Sequence, residues 1–442
     1  MFMFVCIIKF IISICVLKNN INDKNINNVK KNAVNCGSIG IKILQAFVMN
    51  DFFKTDKLNF ALENCPEHEY EFTEKIYFDV YNKDISEKYI YKELLGTGSI
   101  GQVYKMYDYE NGRWVAIKVK HPDVEKKIKQ FVFITKFLKF IFRIPIFKLI
   151  LDYTENINLQ LDYTLEAKNT IKLKEKFKNE NCIVFPEIYE YNNNFIIMEY
   201  LEGQTFNEIP SSSKSKISMY INYFMLTSIL IHDFTHSDLH NGNWKIQLIN
   251  GETKIIIYDC GLVCSTGDIE LNRKIIKYTL NNNYRKLLTF ILKDKLKNNP
   301  KLHLKIENCI YNCNLDKQAS SHERLETFIK KSISEGFFDC NCRALVILNS
   351  FVIVNKIASV GVNDLCKYVY IKKDLSVSII MNIHVEILKK LNIFNDLCSY
   401  FSSWLDKNQS NAFLYKAWLI NEFGHDSSKI FIDIIYKHMF LN

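Results

Sequence analysis

Four short runs carry side chains suited to handling a phosphate chain and a divalent cation. Gly96-Thr97-Gly98-Ser99-Ile100-Gly101-Gln102-Val103 is a GxGxxGxV run. Its glycines let backbone N–H groups approach anionic oxygens with no Cβ in the way. Lys118 closes Val115-Ala116-Ile117-Lys118 and supplies a compact positive charge on a strand-like stretch. His236-Ser237-Asp238-Leu239-His240-Asn241-Gly242-Asn243 holds a carboxylate able to accept a proton and an amide able to ligate a hard cation. Sixteen residues beyond Asn243, the run Ile255–Tyr258 delivers Asp259 into a Cys260-Gly261 turn.

The elements that must position these groups separate two readings of the glycines. In a dinucleotide-binding fold such glycines open a helix. Here an extended run follows, then a turn at Asp108–Gly112, then the strand ending in Lys118. Strand, glycine turn, strand, hairpin, strand is the protein-kinase order. Residues 152–178 lack Gly and Pro and read as a helix, on which Asp162 and Glu166 share one face. Glu166 is the expected ion-pair partner of Lys118. A further hairpin ends in Phe195–Gly203, where the backbone of Glu199–Leu201 is expected to meet an adenine edge. Asp238 is the expected base, with Asn243 and Asp259 as Mg²⁺ ligands and the nucleotide loop formed by Gly96, Gly98, Ser99, Gly101 and Val103. His232-Asp233-Phe234-Thr235-His236 imitates a zinc-protease motif, but Asp stands where Glu is required and Gly242 breaks the helix that a third histidine needs.

Composition bounds the rest. The chain has 442 residues, 48% of them hydrophobic, with 14 Gly and 6 Pro, which excludes disorder as the overall class and disfavours turn-rich architectures. The net charge of +9 is scattered rather than blocked, so nucleic acid is not an expected partner. Thirteen cysteines without CxxC pairs suit reduced thiols in an intracellular protein. Residues 1–17 are apolar except for Lys9 and Ser13. As a helix they span about 26 Å, just short of a ~30 Å hydrocarbon core. Membrane contact and a core-packed helix both stay open. Residues 18–35, rich in Asn and Lys, read as a linker.

Over about residues 36–275 the sequence resembles the UbiB/AarF-domain (ADCK-type) atypical kinases. Lys42-Ile43-Leu44-Gln45 resembles that family's KxGQ segment, and Ser99–Tyr104 with Val115–Val124 its nucleotide loop and lysine strand. Leu161–Asn169 resembles LDYxxEAxN, and His236–Asn243 resembles HADLHPGN. The resemblance implies an α+β, bilobal protein kinase-like fold, with a small β-rich N-lobe, a helical C-lobe and an N-terminal helical extension. It divides the chain into an apolar segment and linker (1–35), the extension (36–92), the N-lobe (93–201) and the C-lobe with a helical tail (202–442). It also implies ATP and Mg²⁺, and phosphoryl transfer or ATP hydrolysis linked to a membrane lipid or isoprenoid small molecule of the coenzyme Q type. Lys42, Gln45, Gln160 and Asp162 become a regulatory segment over the site. A protein serine/threonine kinase and a catalytically silent nucleotide-binding scaffold are the alternatives. Three residues depart from the family pattern: Leu44 replaces Gly, Gln160 replaces Glu, leaving Asp162 as the charge available to Lys42, and Gly98 replaces Ala. These predict a less occluded, more ATP-permissive site.

Overall fold

The computed structural model describes residues 2–49, 67–142 and 160–357 with short breaks, chiefly in 211–226, 314–320 and 338–342, plus isolated positions between. Most of 50–66 and 143–159, and all of 358–442, lie outside the described residues, and with them the end of the expected helical tail and Cys340 and Cys342. Contacts divide the chain into two compact units.

The first unit comprises residues 1–175, 185–202 and 258–262. Its sheet is built from β1 (Tyr89–Thr97), β2 (Gly101–Asp108), β3 (Arg113–Lys120), β5 (Ile188–Tyr191) and β6 (Phe195–Glu199), in the order β1-β2-β3-β6-β5. All four pairings are antiparallel. The β2–β3 turn is set locally. The buried Asp108 carboxylate accepts from the Asn111 backbone and side chain, and Gly112 takes a φ of +62° that favours glycine. The register sets Val103 beside Lys118, and Lys118 beside Ile196. On one face Met106, Val115, Ile117, Val119 and Phe195 form a core with Tyr77 of α4 (Tyr70–Tyr81). On the other face Ile196 packs with Tyr163 and Ala167, which begin the helix Tyr163–Lys176 (α6).

The expected N-terminal extension is helical, with one correction. α1 (Phe2–Asn19) is followed not by a linker but by a second helix, α2 (Asp23–Asn35), then by α3 (Ser38–Met49). Asn22 caps α2 by accepting from the Asn25 N–H at 2.9 Å. Ile26, Val29 and Ala33 recur at helical spacing and are buried. Fully burying an apolar side chain contributes about 1.5–3 kcal/mol, which outweighs the low helix propensity of the asparagines. α1 buries Ile7, Phe10, Ile14 and Leu17 in a cluster shared with α2, α3 and α5 (Val124–Phe142), and turns Val5, Lys9, Ile12 and Val16 outward. The core-packed reading of residues 1–17 is therefore the observed one. Among the described residues no helix is long and apolar enough to cross a membrane.

The second unit comprises residues 176–184, 203–257 and 263–442. β4 (Ile183–Val184), β9 (Glu252–Ile257) and β8 (Trp244–Ile249) make one small sheet. β7 (Thr235–His236) pairs with β10 (Val263–Cys264). Helices then dominate: α7 (Ile269–Leu280), α8 (Tyr284–Ile291), α9 (Lys293–Leu296), α10 (Pro300–Cys313), α11 (Ser321–Ser334) and α12 (Arg343–Ile357). The observed class is α+β, as expected.

Candidate active site

In the first unit, β3, α6 and the turn after Tyr258 bring three charges together. Lys118 Nζ lies 2.7 and 2.8 Å from the two Glu166 carboxylate oxygens and 3.4 Å from Asp259 Oδ2. The Lys118 and Glu166 side chains are 13% and 4% exposed, whereas Asp259 is 47% exposed. Burial alone would discharge Lys118. Asp259 and Glu166 outweigh it and hold the ammonium charged, above its usual range. Burial raises the Glu166 carboxyl to about 7, against the pull of Lys118. The expected Lys118–Glu166 pair is thus present, and Asp259 joins it through a left-handed backbone, φ +47°. Cys260 is fully buried, and its carbonyl accepts from Asn169 at 3.0 Å. Gly261 leaves room there, since a Cβ would stand 3.3 Å from Asp259 Oδ1 and 3.5 Å from Glu166 Oε2.

The three loop glycines serve different ends. A Cβ on Gly96 would meet nothing within 4 Å, and one on Gly98 only the Gly101 carbonyl at 3.5 Å. The loop therefore leaves an open cradle at these two positions. Gly101 is a packing glycine: its Cβ would stand 2.2 Å from both the Tyr163 hydroxyl and the Val119 carbonyl oxygen. Gly98 N–H closes the turn onto the Gly101 carbonyl at 2.8 Å. Ser99 is buried, and Val103 is half-buried on β2. Tyr163 sits with its ring 5.2 Å from Lys118 Nζ, and its buried hydroxyl has no hydrogen-bond partner among the described residues.

At the end of β6 the Glu199 N–H donates to the Glu187 carbonyl, the Tyr200 N–H to the Trp114 carbonyl, and the Tyr258 hydroxyl to the Leu201 carbonyl. Of the regulatory segment, Lys42 and Gln45 are half-buried on α3, and Leu44 lies in the helical core. Asp162 does not serve Lys42. Its Oδ1 accepts from the Leu165 N–H at 3.0 Å and caps α6, and among the described residues Lys42 pairs with no carboxylate. Gln160 is half-buried, with its Cα 3.9 Å from where a Gly261 Cβ would stand.

In the second unit, Asp238 and Asn243 come together by local bonding. The Asp238 carbonyl accepts from Asn243 Nδ2 at 2.8 Å and from the His240 N–H at 2.9 Å. The Asp238 N–H donates to His236 Nδ1 at 3.2 Å. With its amide nitrogen bonded, Asn243 has in Oδ1 an atom of the kind that hard cations accept. Asp233, which the sequence offered only as part of a false zinc motif, organises the segment after β10. Its carboxylate accepts from Ser265 Oγ, Thr266 N and Oγ1, Gly267 N and Asn272 Nδ2, all within 2.9 Å. These bonds hold its carboxyl down at about 2 against burial. The signal available in sequence was the Ser265-Thr266-Gly267 run, a set of short donors before a helix.

Among the described residues no group of three or more His, Cys, Asp or Glu is arranged to hold a metal ion. Asp259 in the first unit and Asn243 in the second each carry an oxygen of the kind Mg²⁺ accepts.

Residues 61–290 match the sequence model of the ABC1 atypical kinase-like domain. AarF domain-containing protein kinase 1 of Gallus gallus is 28% identical over 205 residues, covering 43% of this chain and 39% of that protein. The mitochondrial ABC1 family protein YPL109C of Saccharomyces cerevisiae is 30% identical over 186 residues, covering 35% of this chain and 28% of that protein. The alignments thus span well under half the length of these curated relatives. Rv3197 of Mycobacterium tuberculosis, solved in complex with erythromycin, superposes with a TM-score of 0.42 at 20% identity, covering 52% of this chain and 61% of that one.

Proposed function

The chain belongs to the ABC1 atypical kinase-like family, and from that premise we propose that it binds ATP with Mg²⁺ and transfers or hydrolyses the terminal phosphate. The observation that carries the reading is Lys118, held charged between Glu166 and Asp259 beside a glycine loop with open space at Gly96 and Gly98. In this reading the loop N–H groups receive the phosphates, and Lys118 neutralises them from a strand that cannot swing away. Glu166 orients Lys118. Asp259 and Asn243 would hold Mg²⁺, which when bound supplies further neutralisation of the phosphate charge. Asp238 accepts the proton of the attacking hydroxyl or water. The backbone of Glu199–Leu201 would meet the adenine edge, its Glu199 and Tyr200 N–H groups and its Leu201 carbonyl being already bonded elsewhere.

The acceptor we propose is a membrane lipid or isoprenoid-type small molecule. Supporting this, α5 exposes Phe133, Phe137, Phe140, Ile141 and Phe142 alongside Lys129, Lys136 and Lys139, the composition of a helix that lies on a lipid surface. An intracellular setting is supported by the mitochondrial relative and by the free cysteines among the described residues. A protein serine/threonine acceptor is the second reading, favoured by the absence of a Lys42–Asp162 latch that would close the substrate space.

ATP turnover by the purified chain, with and without anionic vesicles, tests these readings against Lys118→Ala and Asp259→Ala. Turnover raised by vesicles and abolished in both variants is expected. Phosphate incorporated into added protein would favour the second reading. MgATP binding without turnover would favour a silent scaffold, and absence of calorimetric MgATP binding would end the proposal.

A further inference from the structure

We propose that His121 is a positioning residue for the glycine loop, pinning the Gly98 carbonyl through a hydrogen-bond chain that continues to His68 and beyond. The inference rests on the reading that this loop receives phosphates. His121 follows β3 and grips the loop twice: its backbone N–H donates to the Ile100 carbonyl at 2.8 Å, and its Nε2 lies 2.9 Å from the Gly98 carbonyl oxygen. Its Nδ1 lies 2.7 Å from His68 Nδ1, and His68 Nε2 lies 3.0 Å from Thr73 Oγ1. Thr73 Oγ1 and the Tyr104 hydroxyl are 3.0 Å apart. The buried Gln102 amide donates to that hydroxyl and to the His68 carbonyl at 2.9 Å, and accepts from the His68 N–H at 3.0 Å.

One end of this chain fixes all of it. A carbonyl oxygen only accepts, so His121 Nε2 must carry the proton, and Nδ1 of the neutral ring then accepts. His68 Nδ1 must donate, and its Nε2 accepts from the Thr73 hydroxyl. Thr73 accepts from Tyr104, whose oxygen accepts from Gln102. Every group is satisfied with both imidazoles neutral. Adding a proton to His121 reverses the chain and leaves the buried Tyr104 hydroxyl without an acceptor, and adding two sets N–H against N–H across the pair.

The surroundings favour the neutral state. Burial lowers His68 to about 4, with His121 adding to the effect. Burial also lowers His121, against the Gly98 contact and helped by Lys127 of α5. The other titratable groups around the chain are Tyr104, Tyr91, Tyr70 and Glu67. Because both folded-state values lie below the free imidazole value near 6.5, the clamp is intact above that pH and loosens as pH falls toward 4.

The test is MgATP affinity of the full chain across pH 5–8, with amide exchange at Gly98–Gly101 and ring ¹⁵N shifts of His121. His121→Ala should weaken MgATP binding about tenfold at pH 7.5 and speed exchange across the loop. His121→Gln, which can donate to Gly98 without titrating, should restore both and flatten the acid loss seen in the wild type. Wild-type affinity and exchange in His121→Ala, or a proton found on Nδ1 rather than Nε2 of His121, would overturn the proposal. If the wild type binds no MgATP while His121→Ala still loses loop protection, the pinning stands and the phosphate reading falls.

Discussion

Around Lys118, in the first unit, the carboxylates of Glu166 and Asp259 come within 3.4 Å of its Nζ, with Lys118 and Glu166 largely buried and Asp259 half-exposed. Around Asp238, in the second unit, the bonds described run between residues at most five apart, from His236 to Asn243. The first cluster is charge held together by tertiary packing, so buried Lys118 and Glu166 depend on their partners to offset burial. The second is a backbone knot that bonds through the Asp238 carbonyl and leaves the carboxylate outside those bonds, 4.0 Å from His240 Nε2. The two therefore differ in what a mutation is expected to remove: stability together with the proposed chemistry in one, the proposed chemistry alone in the other.

The sharpest way to break this contrast is Lys118→Ala. It leaves buried Glu166 without a cation and should cost about 3–5 kcal/mol, read as a lower thermal midpoint as well as lost nucleotide binding. A variant as stable as the wild type would show the pair to be ornamental. Asp233→Ala comes next, because five donors lose one carboxylate. We expect a loss of about 1.5–3 kcal/mol by denaturant unfolding. Since the folded Asp233 value, about 2, lies below the ordinary 3.8, its stabilisation is complete above pH 3.8 and fades as pH falls toward 2. The variant should lack that part of the acid sensitivity.

Gly101→Ala should destabilise the first unit by about 1–3 kcal/mol, since its Cβ meets Tyr163 and Val119 at 2.2 Å. Gly98→Ala, with open space before it, should unfold like the wild type; equal ATP affinity in that variant would remove the case for a more permissive site. Smallest in stability is Asp238→Asn. It keeps every backbone bond of the knot and should melt within error of the wild type, while turnover falls about 10²–10⁴-fold. A large drop in melting temperature would erase the distinction between the two regions.

Much of this was legible in the order of residues. Glycine turn, alternating strands and a lysine at the third strand's end specify a sheet register locally, and that register is observed with Val103 opposite Lys118. Glu166 was legible because a carboxylate on a glycine-free helix in that order has one obvious cation to meet. The helix at Asp23–Asn35 was misread because asparagine and lysine content masked a buried stripe of Ile26, Val29 and Ala33. The Asp162 role was misassigned because a carboxylate one residue before a helix caps it before it reaches for a distant lysine.

By itself the sequence determined which residues can bind phosphates, move a proton or ligate a cation, because those abilities reside in side-chain chemistry and short spacings. Only the tertiary structure decided that Lys118 is shared by two carboxylates, that Gly101 rather than Gly98 is sterically required, and that His68 and His121 meet at the loop. Those outcomes depend on burial and on distances across chain separations of tens of residues, where desolvation and packing, rather than local preference, set the energies.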